Sequence, residues 1–391
     1  MRPVPHTLAP AHAVTRRRPS PSPLARLGTP LLALLVGGSL AAAVVGGLLR
    51  AGAVTTGLGD RAVVGHAALA HAALMLPGFL GTAIAIERAV AIRRRWAFAT
   101  PLASGLAGVC LLAGAATSGA ALFVLAALAF VVVNAVVVAR QRAAHTMLLL
   151  VGALALLAGS SLFAAGGGLA AASALPWWFA FPVLTIAAER LEMTRLARRH
   201  PASLPTLAAC VAALGIGAAL GPFAPVAGGA AYGLALMALA AWLGVFDIAR
   251  RTVRAPGLPR YMALCLLAGY AWLGVAGLAW FGMAFGCPGR DMALHALGLG
   301  FIVSMVMGHA PVILPAVAHV KLHFSGWFYL PPTLLHGSLA WRLFGGIGRP
   351  EWRSAGAALN AMAIAVFAAT AVAAALAWRR RASAPGRDAA P

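Results

Sequence analysis

The chain has 391 residues, of which 62% are hydrophobic and 10% charged, with a mean hydropathy of +0.89. A water-soluble domain needs more charge to cover its surface, so this composition excludes an ordinary soluble fold and leaves a membrane class. The formal net charge of +22 does not mark a nucleic-acid binder, because the arginines stand in short clusters between apolar runs.

Residues 1–27 are rich in Pro, Arg and Ser, include Arg16, Arg17 and Arg18, and read as a disordered basic cytoplasmic tail. Apolar runs then recur near 28–49, 62–86, 98–117, 119–139, 145–168, 172–190, 204–222, 226–247, 261–285, 291–317, 327–346 and 355–378. A membrane-spanning helix needs about 20 apolar residues. These runs predict an all-α, polytopic transmembrane helix bundle of about twelve spans over 28–378, with residues 379–391 as a second cytoplasmic tail. The first run is too long for the apolar region of a signal peptide.

Charge supports that count. With the N-terminus in the cytoplasm, all but six of the 30 basic residues fall on the cytoplasmic side. The six on the other side are Arg50, Arg61, Arg290, Arg342, Arg349 and Arg353. The expected placement is a bacterial inner (cytoplasmic) membrane, with the lipid bilayer as principal partner and both termini cytoplasmic. The oligomeric state is left open. Trp177, Trp178, Trp327 and Tyr329 sit near span ends and read as an interfacial aromatic belt. Asn134 and the pair Ser160 and Ser161 read as interhelical hydrogen-bonding groups.

The second, sixth and tenth spans share a pattern. Each carries a Phe (Phe79, Phe181, Phe301) eight residues before a polar residue near its cytoplasmic end (Glu87, Glu189, His309). A period of four helices would give three four-helix arcs, the plan of haem-copper oxidase catalytic subunits. Glu87-Arg88 and Glu189-Arg190 each end a helix, where a carboxylate opposes the helix dipole; each Glu is expected to pair with a neighbouring Arg as a structural clamp.

Ionisable groups inside spans are functional candidates. The chain has only eight acids, and histidine is what it places in apolar surroundings. His66, His71 and His295 lie toward the outer side; His309 and His336 lie toward the inner side. His66 and His71 point about 140° apart on a helix, and His295 and His309 share a face about 21 Å apart. Neutral imidazole suits haem iron and copper, so His66, His71, His295, His309 and His336 are candidate metal ligands; plain interhelical hydrogen bonding is the competing role for each. Pro311 and Pro315 follow His309 and free carbonyls at membrane depth. His319 and His323 form an i, i+4 pair that reads as solvated. The four cysteines make no CxxC, so neither a zinc knuckle nor covalent haem attachment is indicated.

His71 through Glu87-Arg88, and the run from His295 through Gly300 and Phe301 to His309, resemble the NnrS family of bacterial membrane proteins. The resemblance covers about a sixth of the chain. It carries His71-Ala72-Ala73-Leu74-Met75 and Pro77-Gly78-Phe79 where the family pattern has His-x-His-Glu-Met followed by Phe-Gly-Phe. The resemblance implies a polytopic protein that binds haem (b-type) and copper and acts in nitric oxide or redox handling. His71 and His295 are the implied ligands, with a small gaseous or redox ligand as partner. The alternatives are a secondary transporter for a small solute, given the Pro-broken tenth span, and a membrane scaffold. No adjacent His-His pair is present, so respiratory oxidase activity is not expected.

Overall fold

The computed structural model describes residues 23–54, 62–194, 200–318 and 320–382. Most of the N-terminal tail, the end of the C-terminal tail, Arg195, Arg198, Arg199 and His319 lie outside the described residues. The described residues are helical, with no strand among them. In chain order the long helical stretches are α1 (Pro23–Arg50), α2 (62–92), α3 (Arg95–Leu112), α4 (Ala116–Arg140), α5 (Ala144–Ala165) and α6 (Leu175–Met193). They continue as α7 (Ser203–Leu220), α8 (Pro225–Phe246), α9 (Leu258–Ala284), α10 (290–318), α11 (326–345) and α12 (Pro350–Ala382). Among the described residues, ten helices are long and apolar enough to cross a membrane. The predicted division between 98–117 and 119–139 falls at Gly114, whose φ of +81° turns α3 into α4. A Cβ on Gly114 would stand 2.6 Å from the His66 ring, so the same glycine seats that imidazole.

α6 and α11 are not among those ten, for a physical reason. α6 carries Glu189, Arg190 and Glu192 in its last turns, yet every residue from Trp178 to Ala188 is buried. It is an interior helix whose neighbours are protein. α11 is interrupted by Pro331 and Pro332 and carries His336 and Arg342. By contrast, the outward faces of α1, α4, α7, α9 and α12 expose Leu34, Leu125, Ile216, Leu278 and Val372. Such a belt of large apolar side chains is a liability in water and is matched by hydrocarbon.

Small residues set the helix spacing. A Cβ on Gly233 of α8 would stand 2.7 Å from the Gly277 carbonyl of α9, and one on Gly277 equally close to the Gly233 carbonyl. With no hydrophobic drive between helices in lipid, this close backbone approach supplies dispersion contact instead. Trp178 is wholly buried rather than interfacial. Its indole N–H donates to Ser160 Oγ at 3.4 Å, and Gly159 leaves the room its ring fills. Trp327 is exposed, as a belt residue would be. Asn134 donates to Phe130 O of its own helix rather than across helices.

Three stretches wind as π-helix: Leu74–Gly81 in α2, Ala296–Val303 in α10 and Trp341–Gly345 in α11. The first contains Pro77, which has no N–H to give to the helix; the wider turn accommodates it, and Ser104 of α3 donates to its carbonyl at 2.7 Å. α6 touches the π-helical stretches of α2 and α10, and α2 and α10 touch each other through Thr82–Ile92 and Ser304–Ala318.

Candidate functional site

The three π-helical stretches border one cavity. Its volume is about 860 Å³, within the range of cofactor pockets. Met75 and Leu76 line it from α2, Phe179 from α6, Gly298 and Leu299 from α10, and Arg342 from α11. π-turns recur at functional sites because they rotate side chains off the 3.6-residue register.

His71 and His295 both open onto this cavity. Their ring centroids stand 6.4 Å apart and their planes differ by 26°. His71 Nδ1 lies 2.7 Å from Ala43 O of α1. A carbonyl only accepts, so Nδ1 carries the proton and Nε2 keeps its lone pair. The ring reaches α1 because Gly47 offers no Cβ, which would stand 2.8 Å from His71 Cε1.

His295 is held by Asp291. Its Nδ1 lies 2.9 Å from Asp291 Oδ1, one turn earlier, and 3.0 Å from Asp291 O. Both partners accept, so here too Nδ1 bears the proton and Nε2 the lone pair. Asp291 is in turn gripped by Arg342, whose Nε and terminal nitrogen donate to the two carboxylate oxygens at 3.1 and 2.7 Å. This two-pronged bond fixes the carboxylate plane. The Arg342 terminal nitrogen also stands 3.3 Å from both ring nitrogens of His295, of which Nε2 alone can accept from it.

The cavity also gathers charge. Arg50, Arg290 and Arg353 line it together with Arg342. All four belong to the six basic residues that the charge pattern places on the outer side. The departures from that pattern thus gather at one cavity. Asp291 was missed as well, although its i, i+4 spacing to His295 is legible in the sequence.

The other candidates lie elsewhere. His66 Nδ1 lies 3.0 Å from Leu112 O of α3, on a different face from His71 as the helical spacing predicts. His336 has both nitrogens engaged: Trp272 Nε1 donates to Nδ1 at 3.0 Å, and Nε2 meets Ser304 Oγ at 3.3 Å. Since Ser304 Oγ itself donates to Cys265 O at 2.8 Å, His336 Nε2 is the donor to it, and no lone pair is left for a metal. His309 sits at the far end of α10, its Nδ1 2.8 Å from Met305 O. His71 and His295 are therefore brought together, and His66, His309 and His336 are not.

Near His309, Arg88 donates to Glu189 at 2.9 Å and lies 3.5 Å from Glu87. Glu87 thus pairs with its neighbour Arg88 as expected, and the same arginine reaches across from α2 to clamp Glu189 of α6. Among the described residues no group of three His, Cys, Asp or Glu side chains could hold a bare metal ion.

The sequence model of a family described as a domain of unknown function, DUF8744, matches residues 29–376, and the chain belongs to that family. No curated protein and no solved structure matches it.

Proposed function

We propose that this DUF8744 protein is a multi-pass inner-membrane haem protein, resembling the NnrS family, that holds one b-type haem between His71 and His295 and serves nitric oxide or redox handling. The observation that carries this reading is the facing pair of imidazoles. Two iron–nitrogen bonds of ~2 Å, added to about half a ring on each side, require centroids about 6 Å apart. The observed separation is 6.4 Å; the His71 Nε2 lone pair is uncommitted, and Arg342, 3.3 Å from His295 Nε2, would give up that contact to the iron. A porphyrin brings four nitrogens of its own, so two protein ligands suffice where a bare ion would need more. Copper has no comparable set of side chains supporting it.

The surroundings fit the same group. Ala43 O and Asp291 accept from the outward nitrogens and orient each ring. Arg50, Arg290 and Arg353 would meet carboxylate side chains at the cavity rim, while Leu76, Phe179 and Leu299 offer apolar walls. A bound haem would supply one-electron redox chemistry and affinity for diatomic gases. The chain's own part is to orient two imidazoles, neutralise a dianionic rim and keep the walls dry.

The twelve-span topology with both termini cytoplasmic belongs to this proposal, as does the plan of three four-helix arcs, which the mutual contact of α2, α6 and α10 supports. Absorption spectra of the detergent-purified protein, oxidised and dithionite-reduced, test it. A Soret band that sharpens on reduction is the expected result. A featureless spectrum from folded protein expressed with ample haem overturns it and moves the permease reading forward, with the arginine-rimmed cavity as its solute site.

A further inference from the structure

At the opposite end of α2 and α10 lies a second polar assembly, about 24 Å along α2 from His71 by helical rise. It draws Glu87 and Arg88 from α2, Glu189 and Arg190 from α6, Asp247 after α8, Tyr270 from α9 and His309 from α10. Arg88 bridges to Glu189 at 2.9 Å, and Tyr270 Oη donates to Asp247 at 2.6 Å. His309 lies in the electrostatic reach of Glu87, Arg190 and Asp247.

Three nitrogens in this assembly are sealed from solvent and lack a hydrogen-bond partner: Arg88 Nε, Arg190 Nε and His309 Nε2. Arg190 as a whole is only 5% exposed. Leaving a buried polar atom alone is costly, so three in one cluster call for a guest that satisfies them. Their chemistry specifies it. The two arginine nitrogens can only donate. His309 Nδ1 spends its proton on Met305 O, so Nε2 can only accept. The guest must accept from Arg88 and Arg190 and donate to His309. An unprotonated anion cannot donate, and an ammonium cannot accept. Water does both.

We propose that this cluster is a hydrated proton-binding site in which His309 Nε2 is the acceptor. The step is simple: an O–H bond of hydronium breaks, an N–H bond forms at Nε2, and neutral water remains. The positive charge passes to the ring, where Glu87 and Asp247 face it. Glu87 and Glu189 keep side-chain exposures of 28% and 24%, giving protons a way in from the adjacent surface. Arg190 also faces His309, with Arg88 and Tyr270 one step back on Glu189 and Asp247, Tyr261 and Cys265 of α9 beside the preceding turn, and His336 of α11 turned away toward Trp272. This site stands whether or not His71 and His295 hold a haem.

The test is nitrogen NMR of the full chain, labelled with 15N-histidine, in lipid vesicles, with the His309 resonance identified as the one missing from His309→Gln. The expected result is an unprotonated Nε2 in contact with water protons at about pH 9, converting to a protonated nitrogen by about pH 4. An Nε2 that is protonated throughout, one that never changes, or one without a water contact overturns the proposal. Should His309→Gln not fold, radiolytic footprinting of the unaltered protein decides. Hydroxyl radicals formed from bound water should label His309 several-fold more than the likewise half-buried His336, whose nitrogens are both engaged by protein, and equal labelling overturns the hydrated site.

Discussion

α2 and α10 each carry one histidine to a cavity at one end and one polar group to a sealed cluster at the other, and the two ends solve the problem of a buried imidazole differently. At the cavity end, His71 and His295 have their Nδ1 protons tied to Ala43 O and Asp291, and both rings line open volume, with Arg342 beside His295 Nε2. At the cluster end, His309 has its Nδ1 tied in the same way to Met305 O, but its lone pair faces enclosed arginines and carboxylates. The tautomer is the same at all three. What differs is the size and charge of the space in front of Nε2. A large arginine-rimmed cavity suits a bulky dianionic cofactor, and a small mixed-charge space suits water. Identical side-chain chemistry is thus directed to two uses by the packing around it.

The sharpest way to break this comparison is to remove one imidazole at a time. His71→Ala and His295→Ala should each abolish the Soret band, while His309→Gln should leave it whole. Purified variants with full spectra in the first two, or a lost spectrum in the third, would reverse the assignment of the ends. A smaller effect is expected from Asp291→Asn. It keeps the shape but loses the charge that Arg342 and His295 share, and haem affinity should fall about 10–100-fold in a titration of apoprotein. At the cluster end, Arg88→Ala leaves Glu189 without its partner across helices. Because both side chains keep some solvent contact, the loss should be about 1–3 kcal/mol, read as lower thermal stability with an unchanged spectrum.

Much of this architecture is legible in the sequence. Apolar run length and arginine spacing give the helical elements to within a few residues, because each depends on local composition alone. The separate faces of His66 and His71 follow from helical rotation. Three things were not legible. The π-helical turns shift register through tertiary contact, as at Pro77 with Ser104, and no periodicity announces them. The convergence of Arg50, Arg290, Arg342 and Arg353 joins four helices distant in sequence. The partners of His336 lie on α9 and α10, so only the fold reveals that both its nitrogens are spoken for.

That last residue gives the gentlest test of the division between ligand and structural histidines. His336→Phe retains a ring in the space between α9, α10 and α11 but removes the acceptor of the Trp272 indole N–H and the donor to Ser304 Oγ. The serine keeps its bond to Cys265 O, so one group alone, the buried indole nitrogen, is left unpaired. The expected loss is about 1 kcal/mol, at the low end of what an orphaned neutral donor costs. Thermal unfolding should register that loss while the absorption spectrum stays as in the unaltered protein. His336→Gln, whose side-chain oxygen can accept from Trp272, should recover most of the stability. If His336→Phe instead removed the chromophore, the imidazole would have to leave Trp272 and turn toward iron, and the boundary drawn between the cavity and the rest of the bundle would fall.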